Sequence, residues 1–155
     1  MELAIELAWQ CPPSEGAYSV GAVIVGADGA ELARGFSREG TDPHVHAEEA
    51  ALGKLVPGDP LLAGATVYST LEPCSFRKSR PRSCTELILA TRTAGPSEST
   101  GINAGVSRVV IAWREPSLFV ADCQGAELLT REGIEVVELP DLARRAKAPN
   151  LHLDV

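Results

Sequence analysis

The chain contains 155 residues, a length that predicts one domain around a single hydrophobic core and excludes two full catalytic domains. Hydrophobic residues make up 45% of the chain and charged residues 23%, which excludes a disordered or collagen-like protein. The formal net charge of -7 excludes a general electrostatic attraction to nucleic acid, so any anionic ligand would need a local basic patch.

The cellular location is predicted from the start of the chain and from its apolar runs. The first six residues include two glutamates and no lysine, unlike a signal peptide. No apolar run approaches the roughly 20 residues that span a bilayer. We therefore expect a cytoplasmic protein without a membrane partner, in which Cys11, Cys74, Cys84 and Cys123 are thiols or metal ligands rather than disulfides.

The first third of the chain predicts a helix followed by a β-hairpin. Apolar residues at helical spacing predict an amphipathic helix over residues 2–10, which ends before Pro12-Pro13. The apolar, β-branched run at residues 20–25 predicts a strand. A short turn at residues 27–30 connects it to a second predicted strand at 31–36.

The rest of the chain alternates helices and strands. Helices are predicted at residues 47–55, 83–90 and 125–132, and strands at 65–70, 107–112 and 134–138. Residues 93–104, rich in Gly, Ser, Thr and Pro, predict a surface loop or a loose helix extension, and a polar tail is predicted after the last strand. This alternation predicts an α/β fold, a three-layer α/β/α sandwich around a mixed five-stranded sheet.

Three candidate zinc ligands lie in the middle of the chain. His46 offers a ring nitrogen, and Cys74 and Cys84 offer two sulfur atoms, a set that suits zinc. Three protein ligands leave the fourth tetrahedral position for water, as in catalytic zinc sites. The alternatives are a closed site completed by Cys11 or Cys123, or three buried side chains without a metal.

Glu48 is the candidate catalytic residue. It follows His46 by two residues, so it cannot easily be a fourth ligand and is well placed to move protons. The segment His44-Val45-His46 could also supply a pair of ligands. We prefer His46 because it alone has a glutamate two residues later, and His44 is then a substrate-pocket or surface residue.

The order of these residues resembles the signature of the cytidine deaminase-like zinc deaminases, in which His-x-Glu is followed by Pro-Cys and a second Cys. Here the corresponding residues are His46-Ala47-Glu48 and Pro73-Cys74 with Cys84, although nine residues separate the cysteines instead of two. The segment Thr70-Leu71-Glu72-Pro73-Cys74-Ser75 and the long inter-cysteine loop most resemble the deaminase domain of bacterial riboflavin biosynthesis. That domain acts on a diaminopyrimidinone ribosyl phosphate.

The resemblance covers most of the chain, and two departures concern the substrate. The family usually carries an Asn between prolines before the first strand, whereas this chain has Ala17-Tyr18-Ser19. The family's inter-cysteine loop typically begins with two histidines, whereas residues 76–82 are FRKSRPR. The resemblance therefore implies deaminase chemistry more directly than the riboflavin-pathway substrate. Bifunctional members also carry a reductase domain, for which 155 residues leave no room.

The resemblance implies a cytidine deaminase-like fold and one zinc ion per chain. Zinc lowers the pKa of its bound water, and the resulting zinc-bound hydroxide attacks the amine-bearing carbon of a pyrimidine-like ring. Glu48 would take the water's proton, give it to a ring nitrogen and later deliver one to the departing ammonia. A homodimer or larger homo-oligomer is also implied.

Six residues are candidate substrate contacts: Tyr18, Ser19, His44, Lys78, Arg80 and Arg82. The basic residues of the inter-cysteine loop would clamp a phosphate or another anion. The alternative is a solvated loop whose charges pair with acids such as Glu72 or Glu86. Tyr18 and Ser19 would line the pocket, and core packing of Tyr18 is the alternative.

These observations predict a zinc-dependent aminohydrolase that acts on an aminopyrimidine-type base, nucleoside or nucleotide. One alternative is a cytosine- or guanine-type deaminase, or a tailoring deaminase for a modified pyrimidine, purine or pterin. Another is a non-catalytic, zinc-stabilised nucleotide-binding domain, against which Glu48 argues. The net charge of -7 and the lack of an extended basic surface argue against a nucleic-acid partner.

Overall fold

The computed structural model describes residues 1–92, 105–116, 118–119 and 122–153. Within these ranges the regular structure consists of five strands and five α-helices, with short 3₁₀ turns. The strands are β1 (Gly21–Val25), β2 (Glu31–Phe36), β3 (Thr66–Leu71), β4 (Arg108–Trp113) and β5 (Glu135–Glu138). The α-helices are α1 (Glu2–Ala8), α2 (Ala47–Leu52), α3 (Cys84–Ala90), α4 (Gly125–Arg131) and α5 (Ala143–Lys147).

The five strands form one mixed sheet in the order β2-β1-β3-β4-β5. Strand β1 pairs antiparallel with both β2 and β3, whereas β3 with β4 and β4 with β5 are parallel pairs. Parallel neighbours need a crossover connection, and α3 and α4 lie in these two connections. The predicted mixed five-stranded sheet is confirmed.

Helices cover both faces of the sheet. Gly21 of β1 and Gly35 of β2 face opposite sides, because the strand register places Gly35 opposite Ala22. A Cβ atom on Gly21 would lie 2.0 Å from the Ala4 carbonyl oxygen of α1, and one on Gly35 would lie 2.6 Å from the Ala51 nitrogen of α2. Helix α5 contacts α1, and α3 contacts both α2 and α4. The three-layer α/β/α prediction is therefore confirmed.

Replacing Gly35 with alanine is expected to lower the free energy of unfolding by about 1–3 kcal/mol. The added Cβ would lie 2.6 Å from the Ala51 nitrogen and 2.7 Å from the Ala47 carbonyl oxygen, and neither backbone atom can move without displacing α2. Thermal denaturation of Gly35→Ala measures this loss. Gly16→Ala is the matched control, since no atom lies within 4 Å of its added Cβ. Equal Tm values for the two variants would contradict this close packing.

The C-terminal segment is helical, so the predicted polar tail was wrong. Residues Ala143–Lys147 form α5, and Ala148–Leu153 form a 3₁₀ helix. Ala146 of α5 and Asn150 of the 3₁₀ helix are fully buried. The Ser19 amide donates a 2.6 Å hydrogen bond to Asn150 Oδ1, and Asn150 Nδ2 donates one of 3.0 Å to the Ser19 carbonyl. Alanines alternate with basic residues here, so no apolar period indicated a helix. The segment holds the chain just before β1.

Other differences concern the ends of elements, which sequence patterns locate only to within a few residues. The helix predicted over 2–10 ends at Ala8, and the one predicted over 47–55 ends at Leu52. His152 is exposed as expected, and its Nε2 atom lies 2.9 Å from the Ser14 carbonyl oxygen. The loop predicted over residues 93–104 lies outside the described residues. Across the described ranges, the structure contains no helix with the length and hydrophobicity to cross a bilayer.

Candidate metal centre and substrate cavity

The three predicted zinc ligands lie side by side. The His46 Nδ1 atom is 3.6 Å from the Cys74 Sγ atom and 3.5 Å from the Cys84 Sγ atom. A tetrahedral zinc ion with ordinary bond lengths would hold nitrogen and sulfur ligands about 3.6 Å apart. The donor set and the distances therefore fit one zinc ion. Among the residues that the structure describes, no second group of three His, Cys, Asp or Glu side chains could hold a metal.

Helix starts position two of the three ligands. His46 is the N-cap of α2, and Cys84 is the first residue of α3, where the partial positive charge of the helix favours a thiolate. Ser83 caps α3, because its Oγ accepts a 3.2 Å hydrogen bond from the Glu86 amide. Cys74 follows β3 in a loop, and its sulfur accepts a 3.4 Å hydrogen bond from the Cys84 amide. The starts of α2 and α3 therefore place His46 and Cys84, which are distant in sequence, next to each other.

The two ligand sulfur atoms differ in acidity. A hydrogen bond from Cys84 lowers the pKa of Cys74, and His46 lowers it further. The same hydrogen bond, together with burial, raises the pKa of Cys84. A bound zinc ion would remove this difference, because a thiol that coordinates zinc is deprotonated.

Glu48 lies beside the three ligands and is only 4% exposed. Its Oε1 atom accepts a 2.6 Å hydrogen bond from the Ser69 hydroxyl of β3, which is itself fully buried. The negative charge of Glu48 is among the causes that raise the pKa of Cys84, so the carboxylate is close to that sulfur. Ser69 orients the carboxylate without neutralising its charge.

A cavity of about 620 Å³ opens beside the ligands, a volume typical of small-molecule sites. Two of the three candidate ligands, His46 and Cys74, line this cavity, and so does Glu48. Three of the six predicted substrate contacts also line it, namely Tyr18, His44 and Lys78. The other three, Ser19, Arg80 and Arg82, lie outside this lining. Half of the predicted contacts are thus in a position to touch a ligand of the cavity.

Ser19 lies behind the cavity wall and contacts Arg38, which the sequence analysis missed. Arg38 is 7% exposed and donates a 3.0 Å hydrogen bond to the Ser19 hydroxyl. The same guanidinium donates to the carbonyl oxygens of Pro12 (2.8 Å) and Tyr18 (2.9 Å). These hydrogen bonds from Arg38 therefore hold the loop that carries Tyr18 in place. No sequence signal could have indicated this role, because its partners are backbone carbonyls and a hydroxyl.

Two arginines of the inter-cysteine loop pair with acidic side chains. The Arg77 Nη2 atom is 2.8 Å from Glu49 Oε2, and the Arg80 Nε atom is 3.0 Å from Glu49 Oε1. Arg80 also pairs with Asp42. The carboxylate partners of these arginines are thus Glu49 and Asp42 rather than the two acids expected from the sequence. Of the three predicted basic contacts, Lys78 is the one that lines the cavity.

Two glutamates line the cavity in addition to Glu48: Glu72, which the sequence analysis considered only as a partner of the loop arginines, and Glu115, which it missed. Glu72 is buried, and its two oxygen atoms accept hydrogen bonds from the Ala126 amide (2.9 Å) and the Glu115 amide (3.2 Å). It therefore joins the end of β3 to the start of α4 and to the segment after β4. The Glu115 side chain lines the cavity. It lies in no motif that the sequence analysis recognised.

The two remaining cysteines lie apart from the three ligands. Cys11 Sγ is 3.4 Å from the Val20 carbonyl oxygen, and Cys123 Sγ is 3.8 Å from both the Ser75 hydroxyl and the Pro73 carbonyl oxygen. Burial raises the pKa of both thiols. Neither thiol belongs to the group of side chains that could share a metal ion. The cluster therefore consists of three donor side chains.

Comparison with known proteins relates this arrangement to deaminases. Residues 1–95 match the family described as the cytidine and deoxycytidylate deaminase zinc-binding region. The diaminohydroxyphosphoribosylamino-pyrimidine deaminase of Schizosaccharomyces pombe is 40% identical over 137 residues, which cover 87% of this chain and 30% of that protein. The predicted resemblance to the riboflavin-biosynthesis deaminases is confirmed.

Solved structures support the same relationship. The diaminohydroxyphosphoribosylaminopyrimidine deaminase/5-amino-6-(5-phosphoribosylamino)uracil reductase of Thermotoga maritima matches with a TM-score of 0.68 and 33% identity, covering 96% of this chain and 37% of that one. The Rib2 deaminase of Aspergillus oryzae matches with a TM-score of 0.70 and 22% identity, covering 99% and 96% of the two chains. At that identity the second match shows the fold alone. The chain spans about a third of the S. pombe and T. maritima proteins.

Proposed function

Because the chain belongs to the cytidine and deoxycytidylate deaminase zinc-binding family, we propose that it is a zinc-dependent hydrolytic deaminase of an aminopyrimidine-type base, nucleoside or nucleotide. We assign this activity to residues 1–155 as one deaminase domain. The observation that carries the proposal is the position of Glu48, buried beside His46, Cys74 and Cys84 and lining the same cavity. A purely structural zinc site has no need of such a carboxylate.

His46, Cys74 and Cys84 are the residues that would hold the metal. Zinc with three protein ligands supplies a water nucleophile that is active near neutral pH. Coordination also uses both thiolates, so the ligands would not compete with Glu48 for protons. The catalytic proton transfers are then left to that glutamate.

Glu48 would accept the proton that the water loses as its oxygen bonds to the amine-bearing ring carbon. It would pass that proton to the neighbouring ring nitrogen and later transfer a proton to the amino group. The carbon–nitrogen bond then breaks, ammonia leaves and a carbonyl group remains on the ring. The Ser69 hydroxyl, 2.6 Å from Glu48 Oε1, would hold the carboxylate in one orientation through these steps.

The substrate that we favour is a diaminopyrimidinone carrying a ribosyl phosphate. The names of the S. pombe and T. maritima relatives specify such a compound, which supports this choice. The residues at the pocket support it less directly, because the segment Ala17-Tyr18-Ser19 stands where the family usually has an asparagine between prolines. A cytosine- or guanine-type substrate, or a modified pyrimidine, purine or pterin, is therefore kept as the alternative.

The activity is tested by ammonia release from zinc-quantified protein across aminopyrimidine, aminopurine and pterin bases, nucleosides and nucleotides. Glu48→Ala serves as the blank. Turnover of the diaminopyrimidinone ribosyl phosphate that the blank lacks is the expected result. Turnover of another panel member alone would favour the alternative substrates. Bound zinc without turnover of any member would contradict the proposal and favour a zinc-stabilised binding domain.

Lys78→Met is expected to raise the KM for a phosphorylated substrate about tenfold, because the variant loses a charge-assisted hydrogen bond to phosphate. The KM for the corresponding nucleoside should not change. Arg82→Met is the matched control, since Arg82 lines a neighbouring groove instead of the cavity. Equal effects of Lys78→Met on nucleoside and nucleotide would contradict a phosphate contact.

We further propose that the protein acts as a homodimer or larger homo-oligomer in the cytoplasm. Small deaminases of this fold commonly assemble through helix faces, and the family relationship supports the expectation. Light scattering coupled to size-exclusion chromatography of the zinc-loaded protein measures the assembly. A monomer at micromolar concentration would contradict it.

A further inference from the structure

Three residues that line the cavity carry a buried polar atom without a hydrogen-bond partner, namely Arg77 Nη1, the Tyr18 hydroxyl and Glu115 Oε1. Arg77 is already paired with Glu49 through its Nη2 atom, so the two remaining atoms are the informative ones. One is the Glu115 Oε1 atom, which is buried. The Glu115 backbone amide, in contrast, has a partner, because it donates a hydrogen bond to Glu72. The other is the Tyr18 hydroxyl, also buried. Both side chains line the cavity beside the zinc ligands. Buried polar groups in native proteins are nearly always paired, so these two groups are positioned to form hydrogen bonds with a ligand in the cavity.

The Tyr18 ring is held firmly enough to make its hydroxyl a recognition group. Its centroid lies 4.7 Å from that of Phe119 and 5.5 Å from that of Trp113, both in edge-to-face geometry. The carbonyl of Tyr18 is bound by the buried Arg38 guanidinium. Aromatic packing and the arginine thus fix both the ring and the backbone. The hydroxyl is left with a free donor and free acceptor positions.

Glu115 lies close to this hydroxyl. Burial raises the pKa of Tyr18 to about 12, and the charge of Glu115 contributes to that rise. Burial and the neighbouring Cys74, Glu72 and Glu48 raise the pKa of Glu115 itself to about 8. No cation is paired with the Glu115 side chain among the ion pairs of the described residues. In either protonation state a carboxyl oxygen of this residue can accept an N–H hydrogen bond.

We propose that Glu115 and Tyr18 form a second recognition site of the cavity, which binds the amino- and carbonyl-bearing edge of the substrate ring. Glu115 accepts hydrogen bonds from an amino group or a ring N–H, and the Tyr18 hydroxyl donates one to a ring carbonyl oxygen. This inference rests on the proposed function and deepens it, because it names the two residues that would distinguish an amino-oxo ring from rings without these groups. A ring without the amino group would leave the buried Glu115 oxygen unpaired and would bind more weakly.

Two variants remove one polar contact each. Tyr18→Phe deletes only the hydroxyl and keeps the ring contacts with Trp113 and Phe119. Glu115→Gln keeps the size of the side chain but replaces one acceptor oxygen with a donor. We expect the KM for the diaminopyrimidinone ribosyl phosphate to rise about 3- to 10-fold in Tyr18→Phe and about 10- to 100-fold in Glu115→Gln. Glu6→Gln, the same chemical change on an exposed position of α1, is the matched control.

A binding measurement separates this inference from catalysis. Titration calorimetry uses zinc-loaded protein in the Glu48→Ala background, with and without each further substitution, so that the ligand is bound but not deaminated. The ligands are isocytosine, a 2-amino-4-oxopyrimidine, and pyrimidin-4-one, which lacks the amino group. In this background the parent protein, Glu48→Ala alone, and the Glu6→Gln variant are expected to prefer isocytosine by about tenfold or more, and the Glu115→Gln variant to lose that preference. Zinc content and Tm are measured for each variant. If Glu115→Gln fails to fold, Tyr18→Phe, with its expected loss of affinity for both bases, carries the test.

The outcomes distinguish the two proposals. Variants that keep the wild-type KM and the preference of the parent protein would contradict the recognition site and show that water satisfies these atoms. Lack of binding of both bases by the parent protein would also contradict it. A third outcome is that the parent protein prefers isocytosine, the Glu115→Gln variant does not, and the wild type releases no ammonia from any panel compound. That result would refute the proposed deaminase activity but support the recognition site.

Discussion

Glu48→Gln is expected to lower the rate of ammonia release by about 10²- to 10⁴-fold while the zinc content stays at the wild-type level. Glutamine has the same size as glutamate, and its amide oxygen can still accept the hydrogen bond from Ser69. It cannot carry a proton from water to the substrate ring, so the proton-transfer steps lose their acid and base. Ammonia assays and metal analysis on the same protein sample make the measurement.

The control for this variant is Glu6→Gln, which makes the same change on the opposite face of the sheet. It should keep wild-type turnover, zinc content and Tm. A Glu48→Gln variant with more than a tenth of the wild-type rate would show that another group moves the proton. A variant that loses its zinc would instead place Glu48 in the ligand set.

Cys84→Ser is expected to reduce bound zinc from about one ion per chain to less than about 0.1 after dialysis, because serine is a much poorer zinc ligand than a thiolate. Cys84 is fully buried, and its sulfur lies 3.5 Å from His46 Nδ1. Loss of the metal removes the stabilisation that binding adds to the folded state, so Tm should fall by at least about 5 °C. Ammonia release should fall below detection.

Two further cysteine variants provide matched controls and test the alternative of a closed site. Cys11→Ser and Cys123→Ser change half-buried thiols outside the ligand cluster, and both should keep one zinc ion per chain. A chelator should lower the Tm of the wild type and of these controls but leave that of Cys84→Ser unchanged. Zinc loss in Cys11→Ser or Cys123→Ser would identify a fourth protein ligand and contradict a catalytic site with an open position.

The strands could be predicted from the sequence because burial imposes its pattern directly on them. Strands β1 and β4 are almost entirely buried, and their β-branched residues were visible as continuous apolar runs. Strand β3 mixes hydroxyl and apolar residues, but it is also rich in residues that favour strands. The C-terminal helix α5 could not be predicted in this way. Its side chains contact a sheet that only the folded chain provides, and only Ala146 of its five residues is buried. One small apolar residue among charged ones carries no periodic signal.

The ligand residues were also named from the sequence, since their chemistry is specific. A histidine and two cysteines in the order of a known signature form a rare combination. The glutamate two residues after His46 further reduces the number of functions that fit this combination. The substrate contacts were less predictable. Arg80 has the residue type of a phosphate ligand, yet it pairs with Glu49 and Asp42, residues that approach it only through folding.

The amino-acid sequence was sufficient to predict the order of the elements as far as β5, the three candidate zinc donors and the candidate catalytic residue Glu48. These follow from local patterns and from residue types whose chemistry has few alternatives. Three further properties became visible in the folded chain: Lys78 lines the cavity, Arg38 binds the Tyr18 carbonyl, and Glu115 Oε1 has no hydrogen-bond partner in the cavity wall. Each of these properties depends on neighbours that are distant in sequence, because hydrogen bonding and burial are determined by packing and leave no local trace.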